Sequence, residues 1–483
     1  MEETLDGLEK LAARVRDETD RILVLGMGGS SLAPLVFASS FGAATGSPRL
    51  EVLDSTEPAS VLAAANAAPP DRTIYVVSSK SGTTLEPNLF FDYFFALAEK
   101  GLGPRAGERF VVITDPGTPL EREASSRRVR QIFPGDPAIG GRYSALSPFG
   151  IVPAALSGID VRALLSRARA MADACRTKSP EANPGVGLGA AMGALALEGR
   201  DKLTFSVGSP VDRFGMWIEQ LIAESTGKEG KGILPVEGEP PGAPEAYGDD
   251  RFFVRIAVDS QASDAARRIS ALEEAGHPVV RFDIADALDL GAEMFRWEFA
   301  TAVAGRLLGI NPFDQPNVQE AKDRTNQILS GQAAPEPSGA GGPEALSSLI
   351  ASIRPRDYFA ITAYLPSTAA NEERLARIRL PVRDGKRVAT TVGFGPRFLH
   401  STGQFHKGGP DTGVFLQITE APLERVPVPS RSYGFDRVVA AQAAGDLAAL
   451  RSRQRRALSI SLGADPAAEL ASLAAAVGKS ASR

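Results

Sequence analysis

Short, uninterrupted apolar runs alternate along this chain with longer segments whose apolar positions recur at helical spacing. After an amphipathic opening helix, Arg21-Ile-Leu-Val-Leu-Gly-Met27 is apolar along its length and breaks at glycine, the pattern of a strand buried on both faces. Residues 50–53, 73–77 and 110–114 repeat it, each followed by a turn signal and then by helix-compatible sequence such as 86–100 and 119–128. That alternation predicts a parallel sheet covered by helices. A second set opens with an alanine-rich helix near Gly185 and continues through strands at 202–207, 252–258 and 279–283, with helices at 212–224 and 291–308. Residues 332–343 have the composition of a linker. Beyond them, strands at 358–365, 387–392 and 414–419 and helices at 371–379 and 437–451 suggest a third α/β unit, which either folds alone or completes the second sheet. The expected fold is therefore α/β: two doubly wound, mainly parallel domains at 1–180 and 181–331, with a C-terminal α/β region at 344–483.

With 483 residues, the chain is long enough for two or three cores. Its 43% hydrophobic and 23% charged residues fit a globular protein and favour no disordered or membrane class. A net charge of −5 argues against nucleic acid, which needs a basic face, so any anionic ligand must be held by a local cluster of donors. The single cysteine, Cys175, cannot form an intramolecular disulfide and reads as a buried structural thiol, which suits a reducing compartment. The first residues, Met-Glu-Glu-Thr-Leu-Asp, lack a basic segment before an apolar one, and no run of about 18 apolar residues follows. A cytoplasmic location without membrane contact is the expectation. No Cys/His spacing suggests a metal site, and no cofactor is expected.

Two loops at predicted strand ends have the make-up of an oxyanion cradle. In Gly26-Met-Gly-Gly-Ser-Ser-Leu-Ala-Pro34 the glycines allow close backbone approach and Ser30 can donate from the next helix start, although tight packing explains such a turn equally well. Ser78-Ser-Lys-Ser-Gly-Thr-Thr84 packs five hydroxyls and one lysine into seven positions before a helix. Ser79, Lys80, Ser81, Thr83 and Thr84 there suit a phosphate, which offers several acceptor oxygens and nearly two negative charges. A helix cap flanked by serines is the plainer explanation. The spacing is not that of a P-loop, and the first loop lacks a convincing dinucleotide context, so a phosphorylated small molecule is favoured over a nucleotide.

Gly-Met-Gly-Gly-Ser-Ser followed by Ser-Lys-Ser-Gly-Thr-Thr resembles the sugar-isomerase domain of phosphoglucose isomerases. Gly140-Gly-Arg-Tyr-Ser144, Ala223-Glu-Ser-Thr-Gly-Lys228 and Asn311-Pro-Phe-Asp-Gln-Pro-Asn-Val-Gln-Glu-Ala-Lys322 resemble three further signatures of that family, in order. The resemblance implies isomerisation of glucose 6-phosphate and fructose 6-phosphate through a cis-enediol, or a broader isomerase that also takes mannose 6-phosphate. A non-catalytic sugar-phosphate regulator is the other class, but no DNA-binding helix-turn-helix is evident. By resemblance Glu224, at the end of a helix anchored by Phe214, Trp217, Leu221 and Ile222, moves the proton between carbons 1 and 2. Arg142 would stabilise the enediolate, Lys322 would assist ring opening, and Gln315 would contact the phosphate.

The family also opens the ring with a histidine, normally placed between the glutamate and the lysine, where this chain has none. Of its three histidines, His277 reads as a surface residue in Ala-Gly-His-Pro. His400 lies in Leu399-His-Ser-Thr-Gly-Gln, which resembles the histidine motif displaced beyond Lys322, as in the isomerase half of bifunctional transaldolase–glucose-6-phosphate isomerases. His400 is the expected ring-opening residue, with His406 and Lys407 as neighbours. The resemblance further implies a homodimer, in which His400 acts within its own subunit or across the interface, and makes transaldolase a possible partner.

Overall fold

The computed structural model describes residues 2–43, 46–258, 263–334, 341–421, 424–429 and 431–481. The first sheet comprises β1 (Arg21–Gly26), β2 (Arg49–Leu53), β3 (Thr73–Ser78), β4 (Phe110–Thr114) and β5 (Gln131–Pro134), in the order β2-β1-β3-β4-β5. The second comprises β6 (Lys202–Val207), β7 (Leu234–Val236), β8 (Arg251–Val258) and β9 (Val279–Ile284), in the order β7-β6-β8-β9. The third comprises β10 (Tyr358–Tyr364), β11 (Ala389–Phe394), β12 (Gly413–Glu420) and β13 (Arg456–Leu462), in the order β11-β10-β12-β13. Every strand pair in these sheets is parallel. The residues beyond the linker thus form a sheet of their own, and the same winding occurs three times.

Burial explains which strands could be read from the sequence. Each residue of β1, β3, β4 and β10 is buried, so these strands are continuous apolar runs. β5 and β7 were not foreseen, because β5 is a four-residue edge strand ending at proline and β7 is three residues long. β13, Arg-Ala-Leu-Ser-Ile-Ser-Leu, is an edge strand buried only in part, and it too escaped notice. Of the linker, residues 335–340 lie outside the described residues; a helix starts at its last position, Pro343–Ala351. Among the described residues no helix is long and apolar enough to cross a membrane.

The sheets share cores. One cluster joins Val24, Val111 and Phe149 from the first unit to Phe214, Trp217, Val254 and Trp297 from the second. The other face of the first sheet packs Val77, Phe90 and Phe94 against Phe435, Val438 and Ala441 on the helix Phe435–Ser452, which follows β12. Ala223 and Val236 of the second unit meet Tyr358, Phe405 and Phe415 of the third. Each such buried ring contributes about 1.5–3 kcal/mol. The third unit is therefore docked on both others.

Candidate active site

β1 and β3 are neighbours whose following chain leaves in opposite directions, so a crevice opens beyond their carboxyl ends, where such folds bind ligands. The two loops singled out above are the ones that leave these strands. Their roles differ. In the first loop Gly28 has φ +54°, and a side chain on it would come within 2.9 Å of the His400 carbonyl and 2.8 Å of Gln220 Nε2. A Cβ on Gly29 would lie 2.1 Å from the Gly141 carbonyl oxygen. This loop is the point where the segments carrying His400, Gln220 and Arg142 come together, and Ser30, buried in its short 3-10 turn, does not line the cavity described next.

That cavity, of about 540 Å³, is lined by Ser81, Thr83, Thr84 and Glu86 from the second loop and the helix after it, by Gln315 and Lys322, and by His400, Lys407 and Gln442 from the third unit. Thr84 caps the helix Leu85–Leu102 without a side-chain bond to it, leaving free N–H groups at the cavity wall. Ser81 Oγ accepts from the Thr83 N–H (3.3 Å) and lies 3.0 Å from the Thr83 hydroxyl, which holds the hydroxyls together. Two predicted phosphate ligands of this loop do not line the cavity. Lys80 Nζ donates to Asp115 Oδ2 at 2.5 Å and to the Asp136 carbonyl at 2.7 Å, an ion pair that draws it off the cavity. The Ser79 N–H continues the ladder to Ile113 (3.0 Å), and its hydroxyl is buried without a partner.

Lys322, on the helix Gln319–Leu329, is exposed and has neither an ion pair nor a hydrogen bond with any described residue, so its charge is free for a ligand. Arg142 makes four hydrogen bonds: Nε donates to Ser225 Oγ (2.7 Å), Nη1 to Gln315 Oε1 (2.8 Å), and Nη2 to the carbonyls of Pro312 (2.7 Å) and Asp314 (2.9 Å), which leaves one Nη1 proton uncommitted. With its amide oxygen held there, Gln315 turns its NH₂ outward as a donor. Glu224 is buried and is not among the residues that line this cavity. Its Oε2 accepts from Gln220 Nε2 at 3.1 Å and lies 3.8 Å from Arg142 Nη1. Burial raises its carboxyl above the ordinary range, against the opposing charges of Arg142, His400 and Lys322. One electrostatic site thus contains all four groups.

His400 ends a 3-10 turn, Arg397–His400, that follows β11. Carboxylates from the other units hold the turn. Arg397 forms a two-pronged pair with Asp54 (2.7 Å for each contact), and Ser401 Oγ donates to Glu219 Oε1 at 3.3 Å. His400 Nε2 lies 3.0 Å from Glu86 Oε1. Burial raises the Glu86 carboxyl, but the adjoining His400, the Glu86 backbone N–H and the charge of Lys322 together outweigh it and the net shift is downward. Within one chain, His400 thus meets Glu86 and lies close enough to Glu224 for its charge to act there.

The other histidines serve packing. His406 stacks on Tyr358 (6.0 Å), with Phe398 tilted against it (6.2 Å) and Phe415 edge-on (5.1 Å), and burial holds it well below the ordinary histidine range. His277 is half-buried, edge-on to Phe253 (5.4 Å) and Tyr247 (6.2 Å), not a surface residue as the loop sequence suggested. Lys407 does reach the cavity, but its buried ammonium is bound to Asp446 at 2.6 Å. Cys175 is buried and free.

Sequence reasoning missed Glu86, Gln220 and Gln442. Glu86 looks like any acid in a first helical turn. Gln442 and Asp446 did leave a signal: two polar residues four apart inside Val-Val-Ala-Ala-Gln-Ala-Ala-Gly-Asp, where only apolar contacts were expected.

The model of the phosphoglucose isomerase family matches residues 11–233. Glucose-6-phosphate isomerase of Rubrobacter xylanophilus is 32% identical over 372 residues, covering 66% of this chain and 85% of that protein. The enzyme of the same name from Carboxydothermus hydrogenoformans is 28% identical over 390 residues, covering 68% of this chain and 82% of that one. A solved glucose-6-phosphate isomerase from Chlamydia trachomatis shares the fold, with TM-score 0.58 and 21% identity over 72% of this chain and 75% of that one. With a relative so similar matched over most of its length, and with the family's motifs gathered at one crevice, this chain belongs to the phosphoglucose isomerase family.

Proposed function

We propose that the chain catalyses the reversible isomerisation of glucose 6-phosphate and fructose 6-phosphate through ring opening and a cis-enediol. The observation that carries this reading is the meeting, at one cavity, of a hydroxyl-rich helix N-terminus, an uncommitted lysine and a carboxylate-bound histidine, with the buried Glu224 carboxylate within reach of their charges. Ser81, Thr83, Thr84 and the Gln315 amide bind the phosphate. His400, assisted by Lys322 near the ring oxygen, opens the ring: the C1–O5 bond breaks as O5 gains a proton and the C1 hydroxyl loses one. Glu224 takes the proton from carbon 2 and returns it to carbon 1, while the O2 hydroxyl proton passes to O1. Arg142 offsets the charge on the enediolate.

In a coupled assay run in chelator, the purified chain is expected to interconvert the two sugars. Glu224→Gln should lower kcat about 10²–10⁴-fold with KM little changed, since only the base is removed; near-normal turnover refutes the assignment. The same reading makes the enzyme a cytoplasmic homodimer and transaldolase a possible partner. Sedimentation of the chain alone and mixed with a transaldolase checks both associations, and a monomer that ignores transaldolase discards them.

A further inference from the structure

The third unit supplies more than His400. Gln442, on the helix Phe435–Ser452, donates from Nε2 to Glu86 Oε1 at 2.6 Å, and its Oε1 accepts from the Thr56 hydroxyl at 2.7 Å. Thr56 lies in the loop that follows β2 in the first unit, and all four groups of the chain Thr56–Gln442–Glu86–His400 are buried or nearly so. The proton direction along this chain is fixed by chemistry. Gln442 can keep its NH₂ toward Glu86 only while its oxygen takes the threonine proton, and an amide oxygen has no proton to give. Glu86 Oε1 is therefore an acceptor. With Oε1 already accepting the Gln442 amide proton at 2.6 Å, the proton shared with His400 at 3.0 Å belongs to Nε2. The other charged groups that act on this pair are Lys322 and, through His400, Glu224.

We propose that Gln442 is a positioning residue that fixes neutral His400 as its Nε2–H tautomer and leaves Nδ1 as the basic nitrogen that serves the sugar ring. The inference takes its reaction from the isomerase reading, but the tautomer can be read without any turnover. With only three histidines in the chain, long-range ¹⁵N–¹H spectra of ¹⁵N-histidine protein resolve each ring, and His400 is assigned by the signal lost in His400→Asn. At a pH where the ring is neutral, the expected pattern is a protonated Nε2 and a pyridine-like Nδ1; the reverse pattern overturns the proposal even if the enzyme is an active isomerase. In Gln442→Leu the tautomer preference should weaken and kcat should fall about tenfold or more, with KM within twofold. Gln442→Leu with an unaltered His400 spectrum and unaltered turnover also overturns it. If that variant does not fold, the wild-type spectrum decides alone.

Discussion

At Glu224, burial works against charge and raises the carboxyl even though Arg142, His400 and Lys322 all favour its ionised form. A general base must be ionised to accept a proton, so activity should fail on the acid side, as pH drops through a value above that of an ordinary glutamate. The acid limb of kcat/KM measures it; a limb at or below the usual carboxylate range removes Glu224 as the base. Glu219 is a buried carboxyl pushed up to about 8, first by burial and then by the charge of Glu237. An acid whose folded pKa lies above its unfolded value loses stability as pH rises from that unfolded value to the folded one. Glu219→Gln removes the titration, so the stability of the variant relative to the parent should grow between roughly pH 4.5 and 8. Urea melts across that window test it, and a constant difference rejects it.

Among elements, the loop after β1 acts by being thin. Gly29→Ala places a methyl group 2.1 Å from the Gly141 carbonyl, so the Arg142 segment must move; a loss of about 1–3 kcal/mol in stability is expected, together with reduced kcat. Unchanged melting would show that the two turns do not meet. For the helix after β3, Thr83→Val or Thr84→Val removes a hydroxyl that the proposed site assigns to the phosphate. KM for the sugar phosphate should rise roughly tenfold or more, while kcat holds; equal KM values put the phosphate elsewhere. These elements also mark what could be read beforehand. The hydroxyl run and the buried strands were legible because their composition is improbable without a reason. Lys80 misled because its partner Asp115 lies on another strand end, and sequence spacing carries no information about that meeting.

Across the whole molecule, all three units contribute to the site: hydroxyls, Glu86 and Arg142 from the first, Glu224 from the second, His400 and Gln442 from the third. Fold class was legible because the same strand pattern recurs, whereas the path bringing His400 to Glu224 was not, since it depends on docking between units. Asp54 and Arg397 join the first and third units at the start of the His400 turn. A double-mutant cycle of Asp54→Asn and Arg397→Gln should give a coupling of about 0.5–3 kcal/mol, with kcat reduced in each single variant; additive effects would deny that the pair sets the turn. The central claim, that this assembly moves a proton between adjacent carbons of a sugar phosphate through Glu224, is tested most directly by running the reaction in deuterium oxide. Deuterium should enter the exchanged carbon positions with the parent chain, at a rate lowered about 10²–10⁴-fold in Glu224→Gln. Interconversion that leaves both sugars free of carbon-bound deuterium at every stage, or label uptake that survives the loss of Glu224, would contradict it.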